Sequence, residues 1–161
     1  MRTRTLVIGV IVVVAIAVLV SPVTGQPADP WIGVWKLNVA KSKYSPGLAP
    51  KSSTLTIVAV DGGIKQIVET VPATFGLPTR SEVTAKFDGK DTPVRGNINA
   101  DMSAYKRIDG RTYEVVSKLG GKVTLTSRVV ISADGKTRTV TQTGVNAQGQ
   151  KVNNILVYDR Q

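Results

Sequence analysis

From Trp31 onward, hydrophobic and polar positions alternate along the chain with a period of two. Val83, Ala85 and Phe87 fall on one side of such a run and the polar residues between them fall on the other. A second run places Val123, Leu125, Ser127, Val129 and Ile131 on one face. This period is typical of β-strands that have one face in a core and one face in water.

Short glycine-containing pairs separate these alternating runs. They are Asp61-Gly62, Asp88-Gly89, Asp109-Gly110, Gly120-Gly121, Asp134-Gly135 and Gln148-Gly149. Such pairs accept positive φ and favour tight hairpins. They predict strands near 33–39, 53–60, 64–71, 80–87, 91–95, 103–108, 111–118, 122–132, 136–143 and 151–160. No segment after the N-terminal region has a helical period, although 37–45 has room for a single turn before Pro46.

The strand pattern predicts an all-β fold, with residues 26–161 forming one domain. A long antiparallel meander must protect its edge strands, either by closing into a barrel or by packing two sheets together. We expect a single up-and-down barrel of eight to ten strands, and the alternative is a β-sandwich.

The N-terminal region has the charge order of a secretory signal. Arg2 and Arg4 precede an uncharged run from Leu6 to Val20, and small residues lead to Gly25. We therefore interpret residues 1–25 as a cleavable signal peptide, cut near Gly25/Gln26, that exports the domain to the periplasm or the medium. The alternative is an uncleaved anchor, but the apolar run is shorter than the roughly 20 residues that span a bilayer. No lipid attachment is expected, because the chain has no Cys.

The chain is strongly basic, with 21 Lys and Arg against 11 Asp and Glu. Cleavage would remove Arg2 and Arg4 and leave a net charge of +8. This charge favours anionic partners in general. The basic residues are nevertheless dispersed and few aromatic residues accompany them, so we expect a solvated surface and no nucleic-acid site.

The first predicted strand contains Gly33-x-Trp35-Lys36-Leu37, and the last ends in Arg160. This pair resembles the opening strand and closing basic residue of the calycins, which include lipocalins and fatty-acid-binding proteins. The resemblance implies that Trp35 closes one end of a barrel and that Arg160 lies across its ring, a contact favoured by cation–π attraction.

Two features depart from the family pattern. Residues 39–53 read as an irregular loop where fatty-acid-binding proteins have two lid helices. Those proteins also hold the ligand carboxylate with an Arg-x-Tyr pair in the last strand, and matching Tyr158 to that tyrosine puts Leu156 at the arginine position. A fatty acid is therefore expected to lack that anchor. The Thr-Asp-Tyr motif of lipocalins is missing too, so the resemblance bears on the fold more than on a ligand.

Candidate chemistry is sparse. The chain has neither His nor Cys, which removes the commonest general base, metal ligand and covalent nucleophile. No phosphate-binding glycine loop or calcium loop is present. We therefore expect no enzyme activity, no metal and no cofactor. The alternative is a glycosidase that uses two of the remaining carboxylates.

Some polar residues fall on otherwise inward faces. Ser127 and Asn154 are candidates to line an interior cavity, or to bond across strands near a rim. The group Tyr105, Lys106, Arg107 and Tyr113 lies on two strands joined by one turn, and it is a candidate rim patch for an acidic ligand. The alternating threonines at 137, 139, 141 and 143 are expected on a solvent face.

Two functional hypotheses remain. One is an exported barrel that binds a small apolar or amphipathic molecule inside. The other is an envelope interaction or structural module that uses its basic outer surface, with the barrel filled by its own side chains. A connected interior cavity of at least about 300 Å³ favours the first, and a packed interior excludes it.

Overall fold

The computed structural model describes residues 29–161 and consists of ten strands and one short 3₁₀ turn at Val39–Lys41. The strands are β1 (Gly33–Leu37), β2 (Ser52–Val60), β3 (Gly63–Val71), β4 (Thr79–Ala85), β5 (Asp88–Arg95), β6 (Met102–Arg107), β7 (Thr112–Leu119), β8 (Lys122–Ile131), β9 (Thr137–Val145) and β10 (Lys151–Arg160). The predicted signal peptide and its cleavage site lie outside the described residues. No helix within residues 29–161 is long and apolar enough to cross a membrane.

Each strand pairs antiparallel with the next, and β1 pairs with β10 to close the sheet. At that closure Trp35 lies opposite Arg160 and Leu37 lies opposite Tyr158. The prediction of an all-β, single up-and-down barrel is therefore confirmed, and the sandwich alternative is wrong because the sheet is continuous. Closure satisfies the backbone groups that a free edge would expose.

The hairpins divide between two ends of the barrel. Loops 61–62, 86–87, 108–111 and 132–136 lie at one end, which we call the closed end. Loops 38–51, 72–78, 96–101, 120–121 and 146–150 lie at the other, which we call the open end. All the Asp-Gly pairs therefore lie at the closed end or within two residues of it.

The Asp88-Gly89 pair does not form the predicted turn. The chain reverses at 86–87, and β5 already begins at Asp88. Gly89 has a φ of +75° within a register shift between Asp88 and Asp91. A glycine with positive φ serves a β-bulge as well as a turn, and here it is used for the bulge.

A second bulge changes the predicted face of Val123. Ser117 pairs with Leu125 and Lys118 pairs with Val123, so Thr124 is an extra residue in β8. The Thr124 hydroxyl donates to the carbonyls of Asn99 and Ser117, at 2.7 and 3.1 Å. The alternation slips at this point, and Val123 is 59% exposed although Leu125 and Val129 are buried as predicted.

A packed aromatic cluster fills the closed end. Trp31 packs edge-on against Tyr113 with ring centroids 4.7 Å apart, and Phe87 lies 5.2 Å from Tyr113. Trp35 is fully buried, and its Nε1 donates to the carbonyl of Trp31 at 3.0 Å. Aromatic rings bury a large apolar area in such contacts, so this end of the barrel is solid.

Candidate binding cavity

The interior contains a cavity of about 440 Å³ between the aromatic cluster and the open end. Its apolar lining includes Leu55, Val68, Val83, Val94, Val115, Val129, Val140 and Leu156. Its polar lining includes Gln66, Ser103, Tyr105, Ser117, Ser127, Arg138, Gln142 and Tyr158. This volume is larger than the roughly 300 Å³ expected of a barrel that binds a small molecule.

The cavity continues into a cleft of about 490 Å³ at the open end, between loops 38–51 and 72–78. The two spaces share Val68, Thr70, Leu156 and Tyr158 in their walls. The cleft connects the interior with the surface. Leu48 of loop 38–51 and Thr74 of loop 72–78 line its opposite sides.

Loop 38–51 is held beside β10, beyond the short β1. The Lys43 amide donates to the Ile155 carbonyl at 2.7 Å, and the Asn153 amide donates to the Ser45 carbonyl at 2.8 Å. The Asn154 Oδ1 accepts the Ser45 amide at 2.8 Å. The loop thus completes the edge of β10 that β1 is too short to cover. It supplies no lid helix, in agreement with the sequence prediction.

Arg138 forms the floor of the cavity. It lies on β9 between outward-facing Thr137 and Thr139, and it is only 5% exposed. Its Nη2 donates to the Tyr113 hydroxyl at 2.7 Å, whereas its Nε and Nη1 are buried without a hydrogen-bond partner. Within residues 29–161, no carboxylate forms a salt bridge with it. Because a guanidinium does not lose its proton in proteins, a positive charge faces the cavity.

Two tyrosines lie beside this charge. Burial raises the pKa of the Tyr105 phenol far above its ordinary value, and the nearby Tyr113 phenol raises it further, while Arg138 and Gln66 oppose the shift. Burial also raises the pKa of Tyr113, with Arg138 again opposing the shift. Both phenols are therefore neutral hydrogen-bond donors at physiological pH.

Gln66 adds an amide to the same interior. It lies on β3, opposite Val83 of β4, and its Oε1 is buried without a hydrogen-bond partner. A buried amide oxygen of this kind has unused acceptor capacity for a hydroxyl or protonated group.

One carboxylate residue contributes to the cavity wall. Glu82 lies on β4, and its carboxylate forms ion pairs with Lys65 at 3.3 Å and Arg80 at 3.8 Å. Its charge is therefore compensated at the surface. Arg138 is left as the uncompensated charge of the lining.

Polar side chains bridge three neighbouring strands higher in the barrel. The Asn154 Nδ2 donates to the Gln142 Oε1 at 3.1 Å, and the Gln142 Nε2 donates to the Ser127 hydroxyl at 3.4 Å. The three residues are cross-strand neighbours in the register of β8, β9 and β10. Ser127 and Gln142 line the cavity, whereas Asn154 ties loop 38–51 to the barrel.

The four residues of the predicted rim patch lie in three different environments. Tyr105 points into the cavity, and Lys106 is exposed on the opposite face of β6. Arg107 lies at the closed end, where it pairs with Asp29 at 2.8 Å and covers the Phe87 ring at 4.8 Å. Tyr113 is fully buried in the aromatic cluster. Strand alternation places Lys106 alone on the outer face, and Arg107 and Tyr113 belong to the closed-end aromatic cluster, so the four residues do not form one patch at the cavity rim.

Arg160 and Trp35 adopt the arrangement that the calycin resemblance implies. The guanidinium carbon of Arg160 lies 4.3 Å from the ring centroid of Trp35. The same guanidinium donates to the carbonyls of Pro30 and Ile32, at 2.6 and 2.8 Å. The pair caps the closed end of the barrel, opposite the end where the cleft meets the interior cavity.

Sequence reasoning missed Arg138, Gln66 and Gln142. A signal was present, because the outward threonines at 137, 139, 141 and 143 require the residues between them to point inward. Thr141 and Thr143 are exposed, and Thr137 and Thr139 are partly exposed, so that solvent-face prediction is confirmed. The same alternation places Arg138 at an inward position of this strand.

The fold and the cavity define a class: a closed ten-stranded antiparallel barrel with an interior open at one end. It is consistent at the level of fold with a calycin-like barrel. No protein-family model matches the chain, and no curated protein matches it significantly. Among residues 29–161 no three His, Cys, Asp or Glu side chains lie together as a metal site.

Proposed function

We propose that the protein binds a small amphipathic molecule in the barrel, with its apolar part in the cavity and an anionic head group at Arg138. The observation that carries this proposal is the buried guanidinium with two unpartnered nitrogens. A buried charge without a counter-charge has a desolvation penalty of several kcal/mol, which an anionic ligand would offset.

The surroundings of Arg138 suit a carboxylate or a similar oxyanion. A carboxylate can accept two parallel N–H bonds from one guanidinium, which gives orientation as well as affinity. The neutral Tyr105 phenol lines the same floor and can donate a further hydrogen bond. Above this floor, apolar side chains such as Val94, Val115 and Leu156 offer a surface for a hydrocarbon part.

The position of Arg138 changes the sequence-based expectation for acid ligands. Leu156 occupies the place where fatty-acid-binding proteins have an arginine, so a carboxylate was expected to lack its anchor. In the barrel, Arg138 is the direct cross-strand partner of Tyr158. The guanidinium and the tyrosine therefore come from neighbouring strands instead of the same strand, which supports a calycin-like mode of binding.

We further propose that the protein works as an exported binding protein without enzymatic activity. Export is inferred from the N-terminal signal at residues 1–25. Binding without catalysis is inferred from the absence of His and Cys and from a cavity whose one uncompensated charge is an arginine. Such a group can hold an anion but does not transfer protons.

A matched set of ligands tests the head-group assignment. Decanoate, decanol and decylamine share one hydrocarbon chain and differ in the head group. We expect decanoate to bind, decanol to bind at least about tenfold more weakly, and decylamine not to bind. Isothermal titration calorimetry on the wild-type chain measures all three affinities.

Two arginine variants complete the test. Arg138→Met removes the buried charge, and Arg128→Met removes an exposed arginine on the neighbouring strand. We expect Arg138→Met to abolish the preference for decanoate over decanol and Arg128→Met to retain it. Equal affinity of the wild type for all three ligands, or an identical preference in both variants, refutes the assignment. Native mass spectrometry of the purified protein would then identify any other molecule that accompanies it.

A further inference from the structure

Exposed apolar side chains are concentrated at the open end. Leu48, Phe75, Leu77 and Ile98 are each at least 71% exposed, and they lie on three different loops of that end. Val123, which is 59% exposed, lies in β8 next to loop 120–121. These are the five most exposed large apolar side chains in the described part of the chain, whereas none at the closed end exceeds 45%. Such clustering marks an interaction surface.

An excess of basic over acidic residues is also found at the open end. The open-end loops, counted with the strand residue on each side, contain six basic residues and one acid. They are Lys41, Lys43, Lys51, Arg95, Lys122 and Lys151, against Asp101. The closed-end loops, counted in the same way with residues 29–33, 160 and 161, contain five basic and five acidic residues. The open-end loops therefore have a net charge of +5 and the closed-end loops a net charge of zero, although the Lys41 amine extends along β10 toward Asp159.

Most of these cations have no internal counter-charge. Of the six, Lys41 approaches Asp159 at 3.9 Å, and the other five form no salt bridge within residues 29–161. All five are exposed. Asp101, the single acid, already accepts the Gly120 amide at 2.9 Å.

We infer that the open end docks on the surface of an anionic lipid bilayer, with Leu48, Phe75, Leu77 and Ile98 entering the interfacial region. The five unpaired basic side chains contact the head groups. Membrane-surface binding draws on both buried apolar area and attraction to anionic lipid. Each basic side chain near such a surface contributes about 1 kcal/mol of attraction, or roughly fivefold in affinity.

The geometry favours a bilayer over a protein or nucleic acid. The apolar tips stand on separate loops and are surrounded by long, unpaired lysines, an arrangement that suits a fluid surface better than a single fixed pocket. Phe75 is the one fully exposed aromatic ring among the described residues, so stacked bases would find no aromatic row. Docking in this orientation turns the cavity mouth toward the lipid.

A single-cysteine experiment identifies the end that contacts lipid. Because the chain has no cysteine, Thr74→Cys at the open end and Ala133→Cys at the closed end each offer one site for an environment-sensitive fluorophore. The labelled protein is prepared in the form that is purified from the cells that produce it. Vesicles contain equal parts of phosphatidylcholine and phosphatidylglycerol, with pure phosphatidylcholine as the comparison. We expect a blue shift on the anionic vesicles for the label at position 74 and none for the label at position 133.

Matched variants then separate specific docking from general attraction. Lys51→Glu with Lys151→Glu alters the open end, and Lys86→Glu with Lys136→Glu makes the same charge change at the closed end. We expect the open-end pair to weaken vesicle binding by roughly 30-fold or more and the closed-end pair to weaken it far less. Phe75→Ser is expected to weaken binding by roughly tenfold, and Ile108→Ser at the closed end to leave it unchanged.

Three outcomes would overturn the inference: a blue shift at position 133 equal to that at position 74, equal losses from the two lysine pairs, or equal binding to vesicles without phosphatidylglycerol. The cysteine, lysine, Phe75 and Ile108 variants all carry exposed substitutions, and thermal unfolding checks that they fold. Arg138→Met should dock like the wild type, because docking does not depend on the cavity floor. This result distinguishes a failure of docking from a failure of ligand binding.

Discussion

Arg160 lies over Trp35, its guanidinium carbon 4.3 Å from the ring centroid, although 125 positions separate the two residues in the chain. They are also direct partners in the register that pairs the first strand with the last. The contact therefore joins the two ends of the sheet at the place where the barrel closes, and its loss is expected to weaken the whole fold.

Trp35→Ala is expected to lower the free energy of unfolding by about 3–5 kcal/mol, because the ring is fully buried and its removal leaves a cavity. Urea denaturation followed by circular dichroism measures the change. Val34→Ala, on the more exposed face of the same strand, is the control and should cost less than about 1 kcal/mol. A similarly small effect of Trp35→Ala would contradict the role of the ring in barrel closure.

Arg160→Met is expected to destabilise the protein by about 2–3 kcal/mol. The substitution removes hydrogen bonds to the carbonyls of Pro30, Ile32 and Gly135 as well as the contact with Trp35. Arg160→Lys keeps the charge but not the planar fork, so it should have an intermediate effect. Arg128→Met removes an exposed ion pair with Glu114 and should change stability by less than about 1 kcal/mol. Equal effects of the two methionine variants would argue against the capping contact.

Arg138→Met is expected to leave the unfolding free energy of the ligand-free protein within about 1 kcal/mol of the wild type, or to raise it. Replacing a buried charge with an apolar side chain of similar length removes its desolvation penalty. Chemical denaturation with and without decanoate measures both states, and the stabilisation by decanoate should disappear in the variant. A large loss of stability without ligand would show that Arg138 serves the fold instead of a ligand.

Gly144→Ala is expected to destabilise the barrel by more than about 2 kcal/mol. Gly144 has a φ of +143° and lies opposite the bulge in β8, where an added Cβ would overlap the Thr124 carbonyl. Gly149→Ala is the matched control, because Gly149 also has positive φ but faces open space. It should cost about 1 kcal/mol from backbone strain alone. Thermal unfolding compares the two variants, and we expect Gly144→Ala to be the less stable. The opposite order would contradict the close contact at Gly144.

The buried phenols predict a loss of stability at high pH. The pKa values of Tyr105 and Tyr113 in the folded protein lie above the ordinary value of 10.0. Their contribution is therefore fully present below about pH 10 and is lost as the pH rises through the folded-state values. Tyrosinate absorbance at alkaline pH should be lower in the folded protein than in urea. Tyr105→Phe should reduce that difference, and an unchanged difference would count against the burial of this phenol.

Much of the fold followed from local pattern. Alternation along 122–132 and 80–87 predicted two strands with the correct inward faces for Leu125, Val129, Val83 and Ala85. Glycine pairs located most of the hairpins. The errors at Asp88-Gly89 and Val123 have one cause, because a β-bulge uses the same residue types as a turn and shifts the alternation by one position.

The functional site was less accessible to sequence reasoning. Of the predicted binding residues, Tyr105 and Ser127 line the cavity, whereas Lys106 and Arg107 are close to Tyr105 in the chain but do not line it. The sequence does not indicate Arg138 as a binding residue, because a single arginine in a threonine-rich strand is typical of a surface position. Its importance depends on three other strands, β7, β8 and β10, which place Tyr113, Ile131 and Tyr158 around it.

The sequence by itself determined the strand period, the turn positions and the two residues that close the barrel, because these depend on neighbours in the chain or on a short recognisable motif. Only the tertiary structure decided that the sheet closes with an accessible interior, that Arg138 is buried without a counter-charge, and that the apolar tips and unpaired lysines share one end. These properties depend on which distant strands become neighbours and on how much space their side chains leave. Local alternation carries no information about either.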